Sequence, residues 1–168
     1  NLAKNPGLVF DSGYNDWLGF LCGTQLPASA CTLAGIPVLN PSDLNVASIA
    51  IGGLPGSQTV KRRVTNVGGN PATYTASSTA TGFSVSVSPA PLVLAAGETK
   101  EVSITITRST AALNAYAGGQ LTLSDGVHNV RNPMVVRPVA LAAPTQVSAS
   151  YNVTFGYDGP FTATTRGL

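Results

Sequence analysis

The sequence predicts an all-β fold, an antiparallel β-sandwich with one short helix before it and extra strands after it. From about residue 45, apolar and polar residues alternate with a period of two, which is typical of half-buried strands. The 168 residues include 18 glycines and 12 prolines, and these turn-forming residues separate the alternating segments. Charged residues are only 10% of the chain, against about 25% in an average soluble domain. Hydroxyls and amides must therefore keep the surface soluble, which is common in secreted β-rich proteins.

The only helical pattern lies in residues 12–23. Apolar side chains recur there at i, i+3, i+4, i+7 and i+8, in one stripe of Tyr14, Trp17, Leu18, Leu21 and Cys22. Ser12 is the expected N-cap, and Gly23 suits the helix end. So short a helix must pack on something, so we expect the stripe to be core rather than a ligand cage. Residues 24–43, with three prolines among small residues, predict a loop or linker.

About seven short strands follow at a spacing of 8 to 12 residues. Three of them have a clear apolar face, formed by Val60 and Val64 with Arg62 between them, by Phe83, Val85 and Val87, and by Val102, Ile104 and Ile106. This spacing is typical of a sandwich of immunoglobulin or fibronectin type III shape. Both cysteines precede the strands, so the Cys-Trp-Cys core of antibody domains is missing and the fibronectin variant fits better.

The two cysteines, Cys22 and Cys31, favour a disulfide. Two thiols cannot make a four-ligand zinc site, and His128 lies about a hundred residues further along the chain. Closing so short a loop stabilises a fold by about 2.7 kcal/mol in the chain-entropy model. The alternative is two buried free thiols. No calcium-loop pattern is present either, so no metal and no cofactor are expected.

The single histidine follows a serine and an aspartate in "GQLTLSDGVHNVRNPMVV", residues 119–136. Those three residue types form hydrolytic triads. However, Asp125 and Gly126 favour a tight two-residue hairpin turn, which leaves Ser124 and Asp125 too near in sequence to be well placed for catalysis. Strand alternation makes His128 a partly buried residue at the sheet edge. We therefore expect Ser124, Asp125, Gly126 and His128 to be structural, and no catalytic residue in this chain.

Charge and hydropathy exclude two classes of partner. The net charge is only +2, and no basic patch extends beyond residues 61–63, so a nucleic-acid partner is not expected. No apolar run approaches the roughly 20 residues that a membrane helix needs, so no membrane span is expected. Both ends of the chain look cut, and we expect a piece of a longer protein.

Four stretches, in order, resemble one family. "NPGLVFDSGYNDWLGFLCG" (5–23) resembles the "DPGLVYD…DYLNFLCG" segment of plant-type subtilisin-like serine proteases, and "DLNVASIAI" (43–51) resembles their "DLNYPSIA". "TVKRRVTNVG" (59–68) and "LTLSDGVHNVRNPMVV" (121–136) resemble "TVTRTVTNVG" and "LTWSDGVHXVRSPIVV". The chain departs from the pattern at Val46-Ala47, in place of "YP", and at Leu123, in place of tryptophan. These departures suggest a divergent bacterial member.

The resemblance implies a domain organisation and a function. Residues 1–42 would end the protease domain and its connecting helix, 43–138 would form a fibronectin type III-like sandwich, and 139–168 would be a linker and the start of a further β-module. The family's catalytic motifs lie upstream of the matched region, so none is carried over. The chain would be a non-catalytic accessory domain of a secreted subtilisin-like serine endopeptidase. It would stabilise the catalytic domain of the same parent chain, shape substrate access, meet protein substrates through that parent, and reside outside the cell or in the bacterial periplasm.

Two other functions remain open at the level of sequence. A carbohydrate- or cell-surface-binding sandwich module would use an exposed aromatic platform of Tyr74, Tyr116, Tyr151 and Tyr157, although half-buried strand tyrosines are the simpler interpretation. An independent hydrolase would use Ser124 and His128. The triplet Asn152-Val153-Thr154 is a glycosylation sequon only in a eukaryotic source.

Overall fold

The computed structural model describes residues 4–143, 150–162 and 164. Strand β1 (Leu8–Phe10) precedes two helices, α1 (Tyr14–Thr24) and α2 (Ala28–Leu33), and a 3₁₀ helix (Pro41–Asp43). The strands that follow are β2 (Ile49–Leu54), β3 (Ser57–Asn66), β4 (Ala72–Ser78), β5 (Phe83–Ser88), β6 (Leu92–Leu94), β7 (Thr99–Arg108), β8 (Ala117–Ser124) and β9 (Asn129–Pro138). Strands β10 (Leu141–Ala142) and β11 (Thr154–Phe155) are the last two elements in the described part of the chain.

The strands form two large sheets. One sheet has the order β1-β3-β7-β5 and the other the order β2-β9-β8-β4-β6. The predicted sandwich is therefore confirmed. Neighbouring strands run antiparallel except for β2 and β9, which are parallel, with Ile49 opposite Met134 and Ile51 opposite Val136. Strand β2 is followed in sequence by β3, which belongs to the other sheet. No hairpin therefore connects β2 to β9, its neighbour in its own sheet.

A single apolar core lies between the sheets and follows the predicted alternation. The buried residues come from both sheets, and they include Val60 and Val64 of β3, Val102, Ile104 and Ile106 of β7, Leu121 and Leu123 of β8, and Met134 and Val136 of β9. The predicted faces of β3 and β7 thus point inward. Phe83, Val85 and Val87 of the edge strand β5 are half-buried against the rim of this core.

Helix α1 has its N-cap one residue later than the sequence predicts. Gly13 is the N-cap, and its N–H donates to the Asp16 carboxylate at 2.9 Å. The Ser12 hydroxyl does not cap the helix, because it donates instead to the carbonyl of Asn45 at 2.5 Å. Gly23 lies inside the helix, which continues to Thr24. The two predicted helix ends were therefore wrong.

The predicted loop 24–43 is also wrong in part, since it contains α2 and the 3₁₀ helix. Pro27 is the N-cap of α2, and Pro41 stands in the first turn of the 3₁₀ helix. A proline lacks the N–H that a helix start leaves unpaired, and its fixed φ suits that position. Prolines that signal a loop in the sequence thus mark where short helices begin.

Two short strands follow the sandwich, as predicted. Leu141 of β10 pairs with Phe155 of β11, and the N–H of Gly156 donates to the carbonyl of Ala140 at 2.9 Å. Residues 144–149, which include part of the predicted linker, lie outside the described residues. Within the described part of the chain, no helix is both long and apolar enough to cross a bilayer.

Candidate functional site

The loop that carries the histidine is longer than predicted. Ser124 pairs with Asn129 across the hairpin of β8 and β9, so the loop has four residues rather than two. The Asp125 carboxylate accepts the N–H groups of Val127 at 2.9 Å and His128 at 2.6 Å. Gly126 has a φ of +88°, a conformation that favours glycine. The aspartate side chain, rather than a tight two-residue turn, shapes this loop.

Asp125 and His128 form a pair that the sequence pattern does not predict. The Oδ2 atom of Asp125 lies 2.8 Å from Nδ1 of His128, and both side chains are largely buried. Burial of the carboxyl raises its pKa, but hydrogen bonds from the His128 ring and from the N–H groups of His128 and Val127 outweigh burial and hold the pKa of Asp125 at about 2. The expectation that Asp125 is badly placed relative to His128 was wrong.

Ser124 does not complete a triad in this arrangement. Its hydroxyl accepts the N–H of Gly126 at 3.3 Å, and no hydrogen bond joins it to His128 within the described residues. The pair therefore has the orienting carboxylate of a triad without the hydrogen-bonded nucleophile that activation requires. In this arrangement, the Asp125 carboxylate holds the His128 imidazole ring and the loop backbone in place.

Tyr74 and Gly7 enclose this pair. Tyr74 is buried, and its hydroxyl has no hydrogen-bond partner among the described residues. Burial raises the pKa of Tyr74 to about 12, and the nearby charge of Asp125 adds to the effect. Gly7 has a φ of +78°, and a Cβ atom there would lie 2.8 Å from both the Tyr74 hydroxyl and Cγ of His128. The N-terminal segment therefore packs closely against both the Tyr74 and the His128 side chains at Gly7, where only a glycine fits.

An exposed platform of four tyrosines is not present, because Tyr74 lies in the core. Tyr116, Tyr151 and Tyr157 are exposed. The simpler interpretation of Tyr74, as a strand residue that packs inward, is the one that the structure supports.

Asn45 connects the N-terminal segment to the sandwich. Its side-chain amide donates to the carbonyls of Asp11 at 2.9 Å and Arg63 at 3.0 Å, and its Oδ1 accepts the N–H of Arg63 at 2.7 Å. Strand β1 pairs with the same edge of β3, with Leu8 opposite Asn66. Arg63 also holds the Asp16 carboxylate of α1 at 2.7 Å. Strand β1 and helix α1 are thus bound to the sandwich by main chain and side chain together.

Arg62 is a buried cation that organises the segment before β2. It donates to four carbonyls, those of Ser42, Val46, Ser48 and Lys61, at 2.7–2.9 Å. Burial lowers the pKa of Arg62, and the charge of Asp43 opposes that effect. The sequence signal for this role was present, because the alternation of β3 puts Arg62 on the same inward face as Val60 and Val64.

Cys22 and Cys31 form a disulfide that joins α1 to α2, with 6.0 Å between their Cα atoms. The prediction that the whole aromatic stripe of α1 is core packing is wrong. Tyr14 is 77% exposed and Trp17 is 47% exposed, whereas Cys22 is buried. Among the described residues, no three His, Cys, Asp or Glu side chains cluster as a metal site would require.

Comparisons with known proteins agree with this architecture. A family model described as a fibronectin type-III domain matches residues 43–136. Subtilisin-like protease SBT2.6 of Arabidopsis thaliana is 38% identical over 141 residues, which are 79% of this chain and 17% of the relative. Subtilisin-like protease SBT2.2 of the same plant is 36% identical over 143 residues, 80% of this chain and 16% of the relative.

A third plant protease and a solved bacterial structure are also similar to this chain. Subtilisin-like protease Glyma18g48580 of Glycine max is 37% identical over 148 residues, 82% of this chain and 19% of the relative. The chain thus spans less than a fifth of the length of these relatives. The CupB2 chaperone of Pseudomonas aeruginosa has a TM-score of 0.46 and 16% identity, over 55% of this chain and 53% of the chaperone.

Proposed function

Because the chain belongs to the fibronectin type III domain family and matches the C-terminal fibronectin-like region of plant subtilisin-like proteases, we propose that it is a non-catalytic accessory domain of a secreted subtilisin-like serine endopeptidase. It stabilises the protease domain of its parent polypeptide and shapes the approach of protein substrates. The disulfide between Cys22 and Cys31 supports a location outside the reducing cytosol, in the extracellular space or the periplasm.

One observation carries the proposal, namely that the segment before residue 43 is built into the sandwich. Leu8 of β1 is buried in the sandwich core, and Asn45 and Arg63 bind the backbone and the Asp16 side chain of the segment that follows β1. A flexible tether would lack such contacts. A polypeptide that enters at this point is held in one orientation, which suits a domain that supports its neighbour rather than one that moves independently.

The Asp125–His128 pair fits the same role. It orders the β8–β9 hairpin, and the His128 side chain lies where the backbone of Gly7 packs closely against the sandwich. In the parent enzyme, peptide-bond cleavage belongs to residues outside this chain. A fluorophosphonate probe, which labels activated serines, should therefore label the complete parent polypeptide and leave the isolated 168-residue chain unlabelled.

The role in support of the protease domain is tested by removal of residues 43–138 from the complete parent polypeptide. We expect a lower thermal midpoint of the protease domain and a changed cleavage profile on a peptide library, because the sandwich that holds the preceding segment in one orientation is lost. A parent that lacks only residues 139–168 is the control, and it should keep the midpoint closer to that of the whole enzyme. Unchanged folding, heat tolerance and cleavage profile after removal of 43–138 would reject the proposal.

A further inference from the structure

We infer that the exposed apolar face around Trp17 is the surface on which the protease part of the same polypeptide docks. This inference rests on the proposed function and names the surface that such a function needs. It is carried by a concentration of exposed apolar side chains, by a groove beside Trp17, and by the rigidity of both.

The segment from Tyr14 to Val38 exposes an unusual amount of apolar surface. Its large exposed apolar side chains are Tyr14, Trp17, Leu26, Leu33 and Val38, and Leu33 is 93% exposed. Asp16 is the only charged residue in this segment, and its carboxylate is bound by Arg63 at 2.7 Å. Single exposed apolar residues are ordinary, but Tyr14 and Trp17 lie three residues apart on α1 and so share one face of that helix, and exposed apolar side chains that share a face mark an interaction surface.

Trp17 also forms one wall of an apolar groove with a volume of about 470 Å³. The other walls come from β1 and β9 and from the segment before β2, through Leu8, Phe10, Val46 and Val130. We call this feature the Trp17 groove. It is wide enough for large side chains of a partner, and an aromatic ring at the rim is a common anchor of protein interfaces.

The groove and its surroundings are held rigidly before any partner arrives. The disulfide fixes α1 to α2, Asn45 fixes the chain after β1, and the Trp17 ring packs edge-on against Phe20 with 6.0 Å between ring centres. A surface that is already ordered loses little conformational entropy on binding. It therefore suits a permanent intramolecular contact.

The occupant that fits is the remainder of the parent polypeptide. The chain covers only 16–20% of the lengths of its curated relatives, so most of such a protein lies outside the structure. A partner on the same polypeptide has a high effective concentration at this surface. An uncharged surface is therefore enough for binding, because no electrostatic steering is needed to bring the partner to it. A second copy of this chain is the competing occupant, and the test below separates the two.

Hydroxyl-radical footprinting of the unmodified proteins tests the inference directly. In the complete parent polypeptide, oxidation of Trp17 should fall by about fivefold relative to the isolated chain, as its exposed fraction drops from 47% toward that of an interface centre. Tyr14 should be protected as well. Tyr116, which is 66% exposed and lies outside this face, is the internal control and should be oxidised equally in both proteins.

A pair of variants tests the same surface through stability. Tyr14→Ser with Trp17→Ser should lower the thermal midpoint of the complete parent by more than it lowers that of the isolated chain. The matched control combines Tyr116→Ser with Val93→Ser, which removes similarly exposed apolar side chains elsewhere. The control should shift the midpoints of the parent and of the isolated chain by the same amount.

The surface assignment is overturned if Trp17 is oxidised equally in the parent and in the isolated chain. It is also overturned if protection of Trp17 appears in the isolated chain as its concentration rises, since a second copy is then the occupant. These outcomes leave the proposed function standing if removal of 43–138 still destabilises the protease domain. The supporting role is tested separately by that removal experiment, and the non-catalytic role by the fluorophosphonate probe.

Discussion

At the scale of single residues, short polar side chains decide how this chain is held together. Asp125 orders its own loop by accepting two N–H groups and the His128 ring. Asn45 uses both ends of its amide to join two segments, and Arg62 satisfies four carbonyls. Each of these side chains binds main-chain groups. Buried polar groups cost free energy when unpaired, so such residues tolerate substitution poorly.

Asp125 predicts an acid-sensitive part of the stability. Its pKa is held at about 2, below the ordinary value of 3.8, so the ionised carboxylate stabilises the fold above about pH 4. That contribution should be lost as the pH falls from about 4 to about 2. Asp125→Asn should therefore lower the urea midpoint at pH 7 and reduce its fall between pH 4 and pH 2.

The control for this prediction is Asp158→Asn, which changes an exposed carboxylate. It should leave the urea midpoint at pH 7 and the slope with pH close to those of the unmodified chain. If the urea midpoint of Asp125→Asn fell as steeply between pH 4 and pH 2 as that of the unmodified chain, the hydrogen bonds at this carboxylate would not be the cause of the acid sensitivity.

At the scale of elements, helices α1 and α2 depend on a covalent bond and on the sandwich. Helix α2 has only six residues, and isolated helices shorter than about 12–15 residues are marginal in water. Much of their apolar surface faces outward rather than into the core, so burial alone does not hold them. The disulfide closes a short loop between them and restricts the unfolded segment.

Removal of the disulfide should therefore loosen one region of the protein. In Cys22→Ala with Cys31→Ala, we expect amide hydrogen exchange to accelerate in residues 14–39, with a local loss of up to about 2.7 kcal/mol in the chain-entropy model. Amides of β7 and β8 should change little. The unmodified chain in a reducing agent is the control and should reproduce this pattern. Equal acceleration in the sandwich strands would show that the helices and the sandwich unfold as one unit.

At the scale of the whole molecule, the unit that folds extends beyond the region that the family model matches. That match begins at residue 43, but Leu8 lies in the same core as the strands of the sandwich. Strand β1 pairs with one edge of β3. Without β1 that edge would be exposed, and exposed sheet edges promote aggregation. The domain boundary at residue 43 stays a prediction, and these contacts favour an earlier one.

Truncation tests where the folding unit begins. A chain of residues 43–138 should be less stable than residues 4–138 by about 3 kcal/mol or more, because it loses the burial of Leu8 and the partner of the Asn45 amide. Urea unfolding followed by circular dichroism measures the difference. Residues 4–138 should retain most of the stability of the whole chain, since they keep β1. Equal stability of the two fragments would place residues 4–42 outside the cooperative unit.

Sequence patterns were sufficient for the sandwich and for most strand positions, and they favoured the disulfide over two free thiols. The alternation of apolar and polar residues predicts which residues of β3 and β7 face inward, because successive side chains on a strand point to opposite faces. The same alternation put Arg62 on an inward face, but no local rule indicates which four carbonyls it binds. The helix start was missed because the Ser12 hydroxyl donates to the carbonyl of Asn45, 33 residues further along the chain.

Periodicity and turn chemistry are local properties, so the printed residues alone settle that this chain is a β-sandwich with a helical segment before it. The passage of Gly7 over Tyr74 and the outward position of Trp17 depend on contacts between segments far apart in sequence. The placement of Asp125 against His128 depends on a loop two residues longer than expected. Such contacts form only when both sheets and the N-terminal segment are assembled, because each is set by the packing of many residues together.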